Sequence, residues 1–183
     1  MKLNNETIRT AVKEWLDNSN EAESKYGHIS NWDVSNVTDM NEMFFDADSF
    51  NQDIGKWDVS NVTDMSSMFS KAKSFNQDIG KWDVSNVTNM CKMFKRADRF
   101  NKPLNKWKVS NVTNMYEMFF EAKLFNRALN NWNVGKVTNM DKIFYEANSL
   151  NKTIKWYEKI LLFRNLKKLL DFEININAYY DSV

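Results

Sequence analysis

The sequence predicts an α/β repeat solenoid, in which five stacked 25-residue coils each contain a short strand and a short helix. Trp recurs every 25 residues, at positions 32, 57, 82, 107 and 132. The residues between successive Trp positions are closely similar, and the second unit reads WDVSNVTDMSSMFSKAKSFNQDIGK. A fixed period of this kind is typical of units that cannot bury their apolar side alone and must stack on their neighbours.

The spacing of the apolar residues predicts a helix in each coil. In the second unit, Met65, Met68, Phe69 and Ala72 fall at i, i+3, i+4 and i+7, which is one face of a helix of about three turns. Residues 51–59 combine β-branched and aromatic residues with a glycine, and predict a strand of about three to five residues plus a turn. The stacked strands would form a parallel ribbon, with the helices on its other side.

Comparison of the five units separates constant columns from variable ones. The constant apolar columns are expected in the core, and this interpretation is favoured for the Trp column over an exposed sugar-binding ladder. Two variable columns lie on the outer face of the predicted helix, so we expect them to be exposed and to form the candidate partner surface. They are Asn41, Glu42, Ser66, Ser67, Cys91, Lys92, Tyr116, Glu117, Asp141 and Lys142.

One polar column is constant from unit to unit. A constant Asn that follows a constant Phe or Leu indicates a buried amide, whose hydrogen-bonding groups must be satisfied. We predict a structural ladder, in which each side chain bonds to the backbone of the next coil, rather than a ligand site. The column is Asn51, Asn76, Asn101, Asn126 and Asn151.

The two ends of the chain break the repeat and are predicted to cap it. Residues 1–31 form the expected N-terminal helical cap, with Asn4 or Asn5 as the N-cap of an amphipathic helix. Residues 32–155 form the five-repeat solenoid and residues 156–183 the C-terminal cap, within one structural domain. The residues that indicate the first helix are Thr7, Ile8, Val12, Trp15 and Leu16.

The composition excludes several kinds of site. Cys91 and His28 are the only Cys and the only His, so a zinc site with four Cys and His ligands is impossible. Catalysis by a Ser-His-Asp or Cys-His set would depend on that single His. The formal net charge of +1 is too balanced for a nucleic-acid footprint, and the basic stripe from Lys92 to Lys106 is interpreted as a solvated face. We expect a monomer that is not an enzyme and has no catalytic residue, cofactor or metal.

A column of acids carries the enzymatic alternative. Asp33, Asp58 and Asp83 occupy equivalent positions, and stacked coils would bring them within about 5 Å of one another. Like charges at that distance raise one pKa, and stacked acids of this kind serve as acid/base pairs in some carbohydrate enzymes. The favoured interpretation is local, with each Asp bonded to the Ser hydroxyl or to the backbone amides of its own turn.

The repeat also resembles a known family. WDVSNVTDMSSMFSKAKSFNQDIGK and the lead-in YGHISNW are similar to the repeat of BspA-like surface proteins, over about residues 25–155. The resemblance implies a right-handed, leucine-rich-repeat-like solenoid at the cell surface or secreted, because some members are adhesins that bind host proteins. The chain as read has no signal peptide and no apolar run long enough to cross a bilayer, which by itself indicates the cytoplasm.

The sequence therefore predicts a non-enzymatic repeat module that mediates protein–protein binding, adhesin-like by the resemblance. An intracellular structural or assembly scaffold is the alternative. A carbohydrate-binding or carbohydrate-active solenoid that uses the column of Asp33, Asp58 and Asp83 is a minor alternative.

Overall fold

The computed structural model describes residues 2–150, together with residues 154 and 157. The predicted C-terminal cap, residues 156–183, lies outside the described part of the chain apart from residue 157.

The chain divides into two compact units, Met1–Lys152 and Thr153–Val183. The first unit contains the N-terminal helices and the Trp-marked repeats. The repeats are numbered 1 to 5 from their Trp residues, which are Trp32, Trp57, Trp82, Trp107 and Trp132.

The N-terminal segment forms two consecutive helices, α1 (Asn5–Asp17) and α2 (Ser19–Tyr26), and then one short 3-10 turn, Ile29–Asn31. Asn18 serves both helices, because it ends α1 and its side-chain oxygen accepts a hydrogen bond from the N–H of Glu21 in α2. Polar side chains that bond to nearby backbone groups in this way are typical helix boundaries.

The predicted amphipathic helix with an Asn cap is confirmed by α1. The side-chain oxygen of Asn4 accepts hydrogen bonds from the N–H groups of Glu6 and Thr7, both at 3.0 Å. The Thr7 hydroxyl in turn accepts the Asn4 N–H at 2.9 Å, which completes a capping box. Leu16 departs from the prediction, since 43% of it is exposed. The buried residues of α1 are Ile8, Ala11, Val12 and Trp15.

The prediction of an α/β solenoid with strand-plus-helix coils is wrong. Between residues 32 and 150 the structure contains neither an α-helix nor a β-strand, so the leucine-rich-repeat-like architecture is wrong as well. Each repeat is a series of turns that lies in register on the next repeat. Isolated parallel bridges connect equivalent positions, at Asp39–Asp64, Asp64–Asn89, Asn89–Asn114 and Asn114–Asn139.

Two successive tight turns replace the predicted helix in each repeat. In repeat 2, the N–H groups of Met68 and Ala72 bond to the carbonyls of Met65 and Phe69 at 3.3 and 3.1 Å. These carbonyls lie three residues back, whereas an α-helix bonds four residues back. The N–H groups at every second position from Met65 bond instead to carbonyls of repeat 3, at 2.7–3.0 Å. Half of the local hydrogen bonds are thus replaced by bonds to the neighbouring repeat.

The apolar spacing could not distinguish these turns from a helix. The third residue of each turn has a left-handed backbone, with φ of 54° at Ser67 and 62° at Lys71. A turn that repeats every four residues brings positions i, i+3, i+4 and i+7 to one side, as a helix does. The apolar quartet is therefore buried as expected, but on a different backbone.

Side chains also replace the predicted strand pairing. The N–H of Asn76 bonds to the side-chain oxygen of Asn51 at 2.8 Å. The backbone carbonyl of Ile54 accepts the indole N–H of Trp82 at 3.2 Å. A β-strand requires a continuous ladder of backbone N–H and carbonyl groups, and these side-chain bonds interrupt it.

Aromatic columns form the core of the repeats. Phe69 stacks on Phe44 and Phe94 of the adjacent repeats, with ring centroids 5.5 and 5.7 Å apart, and on Phe75 of its own repeat at 3.9 Å. The Trp column lies in this core, since each of the five rings is at most 5% exposed. Indole N–H groups that donate to backbone carbonyls keep these rings buried without an unsatisfied polar group.

Candidate interaction surface

The tandem turns of the five repeats form one surface, which we call the turn-row surface. Its backbone has the same shape in every repeat: two positions in each pair of turns have φ between 53° and 62°. None of these ten residues is Gly, although the left-handed region favours Gly. The bonds between repeats hold the frame, and the side chains on it vary. The rows are residues 41–46, 66–71, 91–96, 116–121 and 141–146.

The variable columns that the sequence singled out lie in these rows but differ in exposure. Glu42, Asp141 and Lys142 are exposed, whereas Ser66 and Glu117 are buried, contrary to the expectation for a variable column. The remaining members, Asn41, Ser67, Cys91, Lys92 and Tyr116, are half-buried. 

Contacts between neighbouring repeats cause this burial. The Asn41 amide donates to the Ser66 hydroxyl at 2.7 Å, and Lys95 forms an ion pair with Glu117. Burial raises the pKa of Glu117, but hydrogen bonds from Lys95 and Tyr116 outweigh it, so that the pKa of this carboxyl lies below its ordinary value. The sequence pattern missed these pairs because their members are more than 20 residues apart.

Exposed large apolar side chains occur near α1, at Leu16 and Phe45, and in repeats 4 and 5, at Leu124 and Tyr145. Tyr145 stacks on Phe120 with ring centroids 5.2 Å apart, and Tyr145 and Leu124 are each 51% exposed. We call Tyr116, Phe120, Leu124 and Tyr145 the aromatic patch. A pair of stacked, partly exposed rings such as Phe120 and Tyr145 is typical of an interaction site.

Lysines border the aromatic patch. The ammonium of Lys95 lies 4.5 Å from the ring centroid of Phe120, and that of Lys92 lies 5.7 Å from the ring of Tyr116. Such cation–π contacts keep the rings partly covered and oriented. Sequence comparison alone did not single out Phe120 or Tyr145, although their column reads Phe45, Ser70, Lys95, Phe120, Tyr145.

The constant Asn column forms hydrogen bonds from repeat to repeat. The side-chain oxygens of Asn51, Asn76 and Asn101 accept the backbone N–H of the next Asn in the column at 2.8–3.0 Å. Asn51 is exposed and the next three are half-buried, so the column is less buried than expected. Asn151 lies outside the described residues.

The acidic column is engaged locally. Asp58 Oδ1 accepts the N–H of Ser60 at 3.1 Å and its hydroxyl at 2.6 Å, and Asp33 makes the same pair of bonds with Ser35. The hydrogen bond from the Ser85 hydroxyl lowers the pKa of Asp83. A general acid needs a raised pKa, so this geometry offers no support for the enzymatic alternative.

The surroundings of Cys91 and His28 favour packing roles for both side chains over reactive ones. Burial raises the pKa of the half-buried Cys91 thiol, which disfavours the reactive thiolate. The His28 ring packs edge-on against Trp15 with centroids 5.3 Å apart, and its Nδ1 lies 2.8 Å from the Ser30 hydroxyl.

The basic stripe is partly neutralised. Lys95 pairs with Glu117, and the Arg96 guanidinium bonds to Glu121 through Nε at 2.8 Å.

Among the described residues, no group of three or more Cys, His, Asp or Glu side chains is arranged to hold a metal ion. No helix in this same part of the chain has the length and apolar character needed to cross a membrane.

One family matches most of the chain. Its description reads "Mycoplasma protein of unknown function, DUF285", and it matches residues 10–119 and, in a second match, residues 78–170. No curated protein and no solved structure matches the chain. The family description does not confirm the finer resemblance to BspA-like proteins.

Proposed function

The chain belongs to this Mycoplasma family of unknown function, and we propose that it is a non-enzymatic module that binds a protein partner through its turn-row surface. The supporting observation is a backbone frame that repeats with nearly constant φ while the exposed side chains on it change. A surface of this kind can be adapted to a partner without a change of fold.

The aromatic patch is the proposed centre of the binding surface. Aromatic side chains carry much of the binding energy at protein interfaces, particularly where a ring of other contacts excludes water. The equivalent column in repeats 2 and 3 holds Ser70 and Lys95 and offers no such side chain. The exposed Lys142 lies 6.0 Å from the Tyr145 ring and favours a partner with acidic groups beside an apolar surface.

The other functions have less support. An adhesin-like role rests on the resemblance to BspA-like surface repeats, and it would be one form of the proposed protein binding. A structural or assembly scaffold would use the same surface between fixed partners. A carbohydrate function loses its two supporting features, because the Trp rings are buried and the Asp33, Asp58 and Asp83 side chains are held within their own turns.

The test is affinity capture with the immobilised chain, followed by quantification of each captured protein. The double variant Leu124→Ala and Tyr145→Ala should lose a partner that the unaltered chain retains. Phe45→Ala is the matched control, because Phe45 occupies the same column as Tyr145 and is 42% exposed at the other end of the row. Thermal midpoints must agree among the three proteins. Equal capture by all of them would contradict the aromatic patch as the binding centre.

A further inference from the structure

One backbone N–H in repeat 4 lacks the acceptor that every other repeat supplies. In repeats 1, 2, 3 and 5, the residue after Trp accepts, through a side-chain oxygen, the N–H two positions further on, at 3.1 Å in each case. These acceptors are Asp33, Asp58, Asp83 and Asn133. In repeat 4 the position holds Lys108, which has no acceptor atom.

Ser110 therefore differs from its counterparts. Within residues 2–150 its N–H and its hydroxyl have no hydrogen-bond partner in the protein, whereas Ser60 gives both groups to Asp58. Ser110 is exposed and lines a groove that is formed by residues 105–110, 131 and 133. The two donors are thus available to a ligand from solvent.

Another break in the repeat lies beside this groove. Gly55 and Gly80 occupy one column, and a Cβ on Gly80 would lie 2.6 Å from the carbonyl oxygen of Pro103, so the next repeat packs tightly there. Asn105 replaces the glycine in the following repeat, and its side-chain oxygen accepts the N–H of Asn131 at 3.1 Å. Asn105 and Asn131 both line a groove of about 430 Å³.

The side chains around this groove are basic or neutral. Lys106 and Lys108 line it together with Asn105, Ser110, Asn131 and Asn133. The nearest acid in the column of Lys108 is Asp83, which already accepts hydrogen bonds from Ser85. The Ser85 hydroxyl is the main cause that lowers the pKa of Asp83, and the charge of Lys108 lowers it to a smaller extent. The groove itself thus has two positive charges and no lining carboxylate.

We propose that the groove binds an oxyanion, one oxygen of which accepts the Ser110 N–H and hydroxyl as Asp58 Oδ1 does for Ser60. Lys106 and Lys108 balance its charge. A carboxylate matches the missing group best, because a carboxylate fills the equivalent position in three repeats. A phosphate offers the same acceptor oxygens. The inference does not depend on the aromatic patch.

The experiment follows the Ser110 amide in two-dimensional ¹⁵N–¹H NMR spectra of the full chain. Sodium acetate, inorganic phosphate and sodium chloride are titrated at constant ionic strength and pH 7. We expect a saturable shift of the Ser110 amide with acetate, phosphate or both, and none with chloride. The oxyanion that binds more tightly, acetate or phosphate, shows whether the groove prefers a carboxylate or a phosphate ligand. A response to chloride equal to that of the oxyanions would overturn the proposal.

Two substitutions at one position separate the missing acceptor from simple charge. Lys108→Ala removes a charge and leaves Ser110 unpaired, so the saturable response should remain, weakened about two- to fivefold. Lys108→Asn removes the same charge but restores an internal acceptor, as Asn133 does in repeat 5, and should abolish the response. Equal weakening by both variants would sink the proposal.

A control variant excludes a general effect of surface lysines. Lys81 precedes Trp82 as Lys106 precedes Trp107, but Asp83, which follows Trp82, already fills the acceptor position there. Lys81→Ala should leave the Ser110 response unchanged, and Lys106→Ala should weaken it about two- to fivefold. Equal losses in these two variants would show nonspecific attraction and contradict a defined site.

Discussion

Helices α1 and α2 and the five repeats are stabilised by hydrogen bonds of very different range. In α1, the cap at Asn4 and the bonds along the helix join residues that are at most four positions apart. In the repeats, the Thr63 N–H bonds to the carbonyl of Thr38, and the Trp57 indole donates to Ile29. A helix can thus be recognised from its own residues, whereas the backbone of a repeat depends on its neighbours.

The largest expected effect comes from a substitution that opens a cavity in the middle of the stacked repeats. Phe94→Ala should lower the free energy of unfolding by about 3–5 kcal/mol, because Phe94 is fully buried and stacks on Phe69, Phe100 and Phe119. Urea denaturation measures the loss. Leu124→Ala, at an exposed position, should cost under about 0.5 kcal/mol. Similar losses in both would mean that the repeats are not held by their aromatic core.

A smaller effect tests the left-handed positions that replace the helix. Lys71→Val should cost about 1–2 kcal/mol, because a β-branched side chain is strained at a φ of 62°. The control Lys73→Val lies two residues away, outside the left-handed positions, and loses only an exposed ion pair with Asp48. If the two variants unfold at the same urea concentration, the strain argument fails.

Two Asn substitutions compare the two regions directly. Asn101→Ala should cost about 1 kcal/mol by leaving the N–H of Asn126 without its acceptor, and Asn4→Ala should cost about the same by removing the helix cap. Hydrogen exchange distinguishes them, since loss of the cap should speed exchange only in α1. Faster exchange after Asn101→Ala should extend into the adjacent repeats. Effects confined to one repeat would mean that the repeats unfold independently.

The smallest expected effect on stability concerns the ion pairs of the two regions, Glu117 with Lys95 in the repeats and Glu14 with Lys25 in the helices. Glu117 and Glu14 both have a pKa below the ordinary value of 4.5, so each stabilises the fold above that pH and the contribution is lost as pH falls through the lower folded-state pKa. The stability difference between the unaltered chain and Glu117→Gln should therefore shrink below about pH 4.5. The Glu14 pair with Lys25 is exposed, so the effect of Glu14→Gln should also vanish in 1 M salt. Equal salt sensitivity of both pairs would contradict the burial of Glu117.

The sequence predicted the contacts of the repeats better than their backbone. The 25-residue period identified which side chains meet, including the Phe and Trp columns of the core and the columns that vary. It did not identify the turns, because a pair of four-residue turns and a helix bury the same positions. None of the left-handed positions holds the Gly or Asn that would have predicted a left-handed backbone, and Lys71 and Glu121 are residue types that are common in helices.

The candidate site shows the same division. Sequence comparison selected the columns of Tyr116 and Lys142, but it could not show that Glu117 is buried against Lys95 or that Tyr145 stacks on Phe120. Among the described residues Ser110 has donors without a partner, and this becomes visible only when its counterparts are seen bonded to Asp or Asn. For Glu117 and Tyr145 the missing information is a contact between adjacent repeats.

The period, the composition of the core and the capped helix α1 follow from the sequence alone, because these depend on local spacing and on side-chain polarity. The backbone of the repeats instead depends on tertiary contacts. There, carbonyls of the next repeat and side chains such as Asn51 and Trp82 compete for the groups that a helix or strand would pair internally. When a neighbour satisfies every second N–H, a turn with a strained left-handed residue becomes more stable than a helix, and no single repeat encodes that choice alone.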